Sequence, residues 1–174
     1  MTDANGVADK TQTVGALEDV GGSKAGTMAY RITTTKVGGS VTSWQEDRGD
    51  SIRRHKELDM AGSTQTTEIY EPYRTRVDEI PAHVVAGAQW TEMYTEVVTD
   101  AGGLTTSTPK TETWSVDATE EQVTVPAGTF CALRVHRLSS TPSGPGSDKM
   151  FWFTRGVGKI KEVGLGQTEE LVSR

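Results

Sequence analysis

A few residues in this 174-residue chain have types that could do chemistry. Cys131 and His136 supply a thiol and an imidazole, the two parts of a nucleophile–base pair. Their offset is odd, so a regular strand sends them to opposite faces. Cys131 shares its face with Leu133 and Val135 and is expected to be a buried, inert thiol, while His136 sits with Arg134. His55, His83 and His136 are far apart and form no local ligand motif, so they read as unconnected surface histidines and no metal is expected. His55 in particular falls on a polar face with Arg53 and Glu57.

Glu92 and Glu96 share a strand face with Trp90 and Tyr94. Aromatics beside paired carboxylates suit carbohydrate binding, and the carboxylates suit glycoside hydrolysis. Solvated sheets also carry such pairs routinely, so the glycan reading is subordinate. Gly102-Gly103 lacks a following Lys and helix, and Gly156-Val157-Gly158 reads as a hairpin, so no phosphate loop is assigned. No catalytic residue and no cofactor emerge, and the chain reads as a non-enzyme.

The elements that would position these groups are strands. Apolar residues alternate in Met28-Tyr30-Ile32, and Gly38-Gly39 and Arg48-Gly49-Asp50 punctuate two further runs. Glu71 to Gly87, restricted by Pro72 and Pro81, is expected to be the longest irregular stretch. Strands resume over Trp90–Thr99, Thr105–Val116, Glu121–Val125, Phe130–Leu138, Lys149–Thr154, Val157–Val163 and Thr168–Val172. About ten strands with short connections favour antiparallel neighbours. The expected fold is all-β, a curved antiparallel meander or half-barrel with little helix. A single β domain over 26–174 is preceded by a flexible lead over 1–25, where Val14, Leu17 and Val20 recur at helical spacing among glycines.

Phe151 and Phe153 point one way and Met150 and Trp152 the other. Both faces of that strand are therefore covered, the second by Glu71–Gly87 or by the N-terminal lead, or else one face lines an apolar cavity. The set Met28, Tyr30, Trp44, Trp90, Tyr94, Trp114, Phe151, Trp152 and Phe153 supplies core or lining.

Bulk properties bound the partners. The net charge is -6 and the one local basic patch, Arg53, Arg54 and Lys56, reads as a solvated strand edge, so nucleic acid is not expected. The lone Cys131 allows no intrachain disulfide. No stretch approaches a transmembrane helix. No signal peptide is apparent from Met1, which implies the cytoplasm if Met1 is the native start and the envelope or periplasm if a signal was removed.

Val125-Pro126-Ala127-Gly128-Thr129-Phe130, the strand Leu133–Val135, the aromatic strand Phe151–Phe153 and the hairpin Gly156–Lys161 together resemble a group of poorly characterised bacterial proteins, many secreted or lipid-anchored. Thr168-Glu169-Glu170-Leu171 and Gly87-Ala88-Gln89-Trp90 look similar too, although Thr154-Arg155 stands where that group has Ala-Pro. The group is itself distantly like the Lol-type lipoprotein carriers of the bacterial envelope, whose half-barrels hold acyl chains on the concave face. The resemblance implies non-enzymatic binding of an apolar or lipid-like ligand, with Tyr30, Trp90, Tyr94, Trp114 and Trp152 as ligand-binding residues. A structural or protein-interaction module, with a protein partner and no small ligand, is the alternative.

Overall fold

A computed structural model describes residues 10–173 of the chain. The expected all-β antiparallel fold is what it adopts. Eleven strands lie in one open sheet in the order in which they occur along the chain. They are β1 Thr11–Asp19, β2 Met28–Lys36, β3 Gly39–Asp47, β4 Ser51–Ala61, β5 Thr64–Asp78, β6 Gln89–Thr99, β7 Thr105–Val125, β8 Gly128–Thr141, β9 Gly144–Thr154, β10 Gly158–Gly164 and β11 Gln167–Glu170. Seven of the ten connections have two or three residues, and a strand returned by so short a turn pairs beside its predecessor.

Three sequence expectations are corrected. The lead over 1–25 does not stay irregular: Thr11–Asp19 pairs with β2, and Gly22–Lys24 makes a short 3-10 turn. Ladder bonding needs only backbone groups, so a polar segment qualifies when a neighbouring strand presents an edge. The part of the lead before Lys10 lies outside the described residues. Second, β5 runs on to Asp78, through Pro72. Its register with β4 breaks between Ile69 and Arg74, so Pro72 stands where no ladder donor is required. Third, Thr105–Val116 and Glu121–Val125 are one long strand, because bulges near Ala118 absorb the register change.

The strands fall into two compact units. The Trp44 unit holds Lys10–Glu79 and Tyr94–Pro109, and the Trp114 unit holds Ile80–Met93 and residues 110–173. In the Trp44 unit, Val20, Ala29 and Trp44 form a buried cluster with Leu58 against it. Lys24 docks the β1–β2 loop onto β5, donating to Glu71 Oε2 at 2.5 Å and to the Pro72 carbonyl at 2.8 Å. The Trp114 unit has two clusters, one around Trp114, Val116, Val135 and Phe151, the other around Val123, Val125, Ala132 and Ile160.

Those two clusters use opposite sides of β8. Val135 faces the first and Ala132 the second, an odd offset on one strand. Cys131 is consequently exposed rather than buried. It does share a side with Val135, but at its end of β8 the covered side is that of Ala132.

Candidate functional site

Aromatic side chains of the Trp114 unit form a continuous row. His83 stacks on Trp90 at 4.0 Å, and Trp90 lies parallel to Trp114 at 5.9 Å. Phe151 follows at 6.0 Å and Phe153 at 5.9 Å beyond it. Register produces the row: Trp114 is opposite Arg137, Val135 is opposite Phe151, and Leu133 is opposite Phe153, so alternate residues of three strands meet on one side. The Arg137 guanidinium lies 5.5 Å from the Trp114 ring centre and 5.1 Å from that of Phe151, and 3.6 Å from the Glu112 carboxylate. Farther along the same side, Glu162 is held between Lys149 at 2.6 Å and Lys159, which also reaches Glu169 at 3.2 Å. Burial alone would raise the Glu162 carboxyl, but the two ammonium groups overcome it and bring its pKa down to about 2.

The row is packed, not open. Trp114 retains 4% of its surface and Phe151 3%, so both rings are almost wholly enclosed by protein. Trp90 and Phe153 are half-buried. The indole N–H groups of Trp90 and Trp114 are buried without an acceptor among the described residues, and so is that of Trp152.

Trp152 lies on the opposite side of β9. It packs on the cluster of Val123, Val125, Ala132 and Ile160, with the Lys161 ammonium 5.6 Å from its ring. Ala127, Val157 and Leu171 pack on that side. Also on that side, Ser115 is the register partner of His136, whose Nε2 is 2.7 Å from Asp148 Oδ1. Serine, imidazole and carboxylate thus fall in a line across three strands. Acyl transfer needs oxyanion donors as well, and the N–H groups around a central strand are committed to its ladders. Asp148 is itself largely exposed, so water competes for its hold on the imidazole. The line is a register row at the surface whose one described side-chain hydrogen bond joins His136 and Asp148.

In the Trp44 unit, Tyr94 is buried edge-on to Tyr70 at 5.8 Å, and Arg74 stands over both rings. Tyr70 donates its hydroxyl to Glu68. Burial pushes the Glu68 carboxyl upward, against the Tyr70 hydrogen bond, and Glu57 and Glu96 add to the rise. Burial likewise raises the Tyr70 phenol. Glu96 belongs to this unit and Glu92 to the other, although both lie on β6.

His55 is buried, with Nε2 3.0 Å from Glu46 and its ring edge-on to Tyr73, which corrects the surface placement. His83 is half-buried on Trp90. The basic patch is not a solvated edge either. Arg54 pairs with Glu57, Lys56 stands over Trp44 and Arg53 over Tyr73, on a strand with neighbours on both sides. A cavity of 180 Å³ in this unit is lined by Asp47, Gly49, Asp50, Ser51, Ile52, Val77 and Glu79, none of them a sequence-predicted site residue. Among the described residues no group of acids, histidines and cysteine is arranged to hold a metal.

Of the predicted ligand-binding residues, the structure brings together Trp90 and Trp114. Trp152 is on the other side of its strand, Tyr94 is core of the other unit, and Tyr30 is an exposed residue of β2. Tyr30 belongs to a feature that the sequence did not disclose. Val14 at 67% exposure and Leu17 at 51% lie on β1, the rim of the sheet, with Met28 at 48% and Tyr30 at 39% beside them on β2. Leu17 is the register partner of Tyr30 and Val14 that of Ile32, so the four side chains share one face. The run Thr11-Gln12-Thr13-Val14 carries β-branched residues that could have signalled a strand, masked by the helical spacing of Val14, Leu17 and Val20.

Comparison with family models, curated proteins and solved structures gives no match for this chain.

Proposed function

We propose that this chain is a non-enzymatic β module that recruits another polypeptide at its β1 edge. The observation that carries the reading is the exposed apolar face of Val14, Leu17, Met28 and Tyr30 on a rim strand whose only ladder partner among the described residues is β2. An edge strand offers unpaired N–H and C=O groups, and a partner strand gains ladder bonds and apolar contacts together. The opposite rim is less suited: β11 has four residues, and its Glu169 and Glu170 are drawn to Lys159 and Lys161. The near-complete burial of Trp114, Phe151, Tyr94 and Trp44 supports the same reading, because rings packed by protein leave little room for a ligand.

A second reading keeps the apolar or lipid-like ligand suggested by the bacterial-envelope resemblance. The acceptor-free indole N–H groups of Trp90 and Trp152 favour it, since a ligand carbonyl would satisfy them. Native mass spectrometry on gently purified protein separates the two. The module reading expects polypeptide-sized mass increments that disappear in Leu17→Lys while the fold persists. A lipid-mass adduct weakened by Trp152→Ala and indifferent to Leu17→Lys would replace it with the ligand reading.

A further inference from the structure

We infer that Glu57 and Glu68 form a proton-operated clasp between β4 and β5, closed in acid by a carboxyl–carboxylate hydrogen bond and loosened when both groups are ionised. The two are register partners, so two carboxylates stand directly opposite each other across an antiparallel pair. Like charges so placed destabilise the pairing. The site is largely enclosed. The Glu57 side chain keeps 14% of its surface, Glu68 is half-buried, and Tyr70, which donates to Glu68, is fully buried. The outer register partners, Ser43 on β3 and Val98 on β6, bring no charge to offset the pair.

The groups around the pair decide where a proton goes. Arg54 is ion-paired with Glu57, whereas Glu68 accepts from the neutral hydroxyl of Tyr70. Burial raises the Tyr70 phenol, so it stays a donor. Glu96 on β6 lies opposite Tyr70, and Arg74 stands over the Tyr70 and Tyr94 rings at 5.9 and 5.8 Å. Asp59, two residues beyond Glu57, is paired with Lys36 at 3.6 Å, and His55, two residues before it, is held by Glu46. Glu68 is the member that takes the proton. Burial raises its carboxyl against the Tyr70 hydrogen bond, and Glu57 and Glu96 add to the rise against Arg54. Glu57 Oε2 supplies the acceptor, because it is buried and no described residue donates a hydrogen bond to it. Protonated Glu68 fills that place with a charge-assisted bond across the ladder. Position gives the clasp its leverage. Beyond Lys56 and Ile69 the β4–β5 register breaks, and it resumes at Arg54 and Arg74. Glu57 and Glu68 make the second rung from that break, where a ladder opens readily.

Exchange of the amides of residues 56–58 and 67–69, corrected for the intrinsic effect of pH, tests the clasp. A carboxyl raised in the folded state stabilises below its unfolded pKa and loses that contribution as pH rises through its folded value. Wild-type protection should therefore be about threefold or more higher at about pH 4.5 than at about pH 8. Glu68→Gln, whose amide can donate to Glu57 at either pH, should hold the acid-state protection at both. Glu57→Gln removes the opposing charge and should flatten the dependence as well, so the test stands even if Glu68→Gln does not fold. Both variants keep His55 and Glu46. A dependence on pH that persists in them belongs to other groups and would overturn the clasp, as would wild-type protection that is flat or rises with pH.

Discussion

Glu162 shows how one charged residue sits in a thin sheet. Buried carboxylates are costly, yet this one has Lys149 and Lys159 on it, and its pKa is lowered from 4.5 to about 2. A carboxyl depressed in the folded state stabilises the fold above its unfolded pKa and loses that contribution as pH falls through the folded value. Glu162→Gln should therefore cost about 1–3 kcal/mol at neutral pH, and the gap to wild type should close between about pH 4.5 and pH 2. Urea unfolding across that range measures it, and a gap constant with pH would assign the loss to packing instead. Glu68 has the opposite sign. Burial raises it, so its contribution is present below the ordinary carboxylate pKa and declines as pH rises through its folded value. The two carboxyls look alike in sequence, and the cross-strand neighbours that separate them are set by register.

At the scale of elements, glycine shows how closely the hairpins are fitted. Gly39 opens β3 opposite Ala61, and a Cβ on it would lie 2.0 Å from the Met60 carbonyl oxygen. That neighbour is backbone of an adjacent strand and yields only if the ladder moves. Gly39→Ala should cost about 2–3 kcal/mol and lower Tm by roughly 5–10 °C, a scanning-calorimetry measurement. A shift under about 1 °C would mean that the β3–β4 ladder relaxes freely. Gly38-Gly39 was also legible as a turn, as was Gly156–Gly158, because glycine chemistry is local and the strand period is two. What period two could not show is which face is covered, and how far along. Cys131 and Val135 share a side of β8, but cover changes sides between them. For the same reason Met28 and Tyr30 looked like core or lining and are exposed beside the rim strand, and His55 looked exposed and is buried. The edge patch itself was hidden because Val14 and Leu17 carry a helical spacing that a bulge turns into one strand face.

For the whole molecule the question is which forces govern the proposed recruitment at the β1 edge. The chain carries a net charge of -6, so it repels an acidic polypeptide over long range and attracts a basic one. Screening acts on that force. The Debye length falls from about 30 Å at 0.01 M salt to about 8 Å at 0.15 M, which removes most of the long-range interaction between chain-sized bodies. The apolar contribution of Val14, Leu17, Met28 and Tyr30 is not weakened by salt. Recruitment carried by this face should thus hold or tighten as salt rises from about 0.01 M to 0.15 M, and then level off. Amide exchange over residues 11–19, with the polypeptide bound and at several salt concentrations, reads the slope. Protection that is lost steadily as salt rises would show that charge, and not Val14 and Leu17, holds the partner.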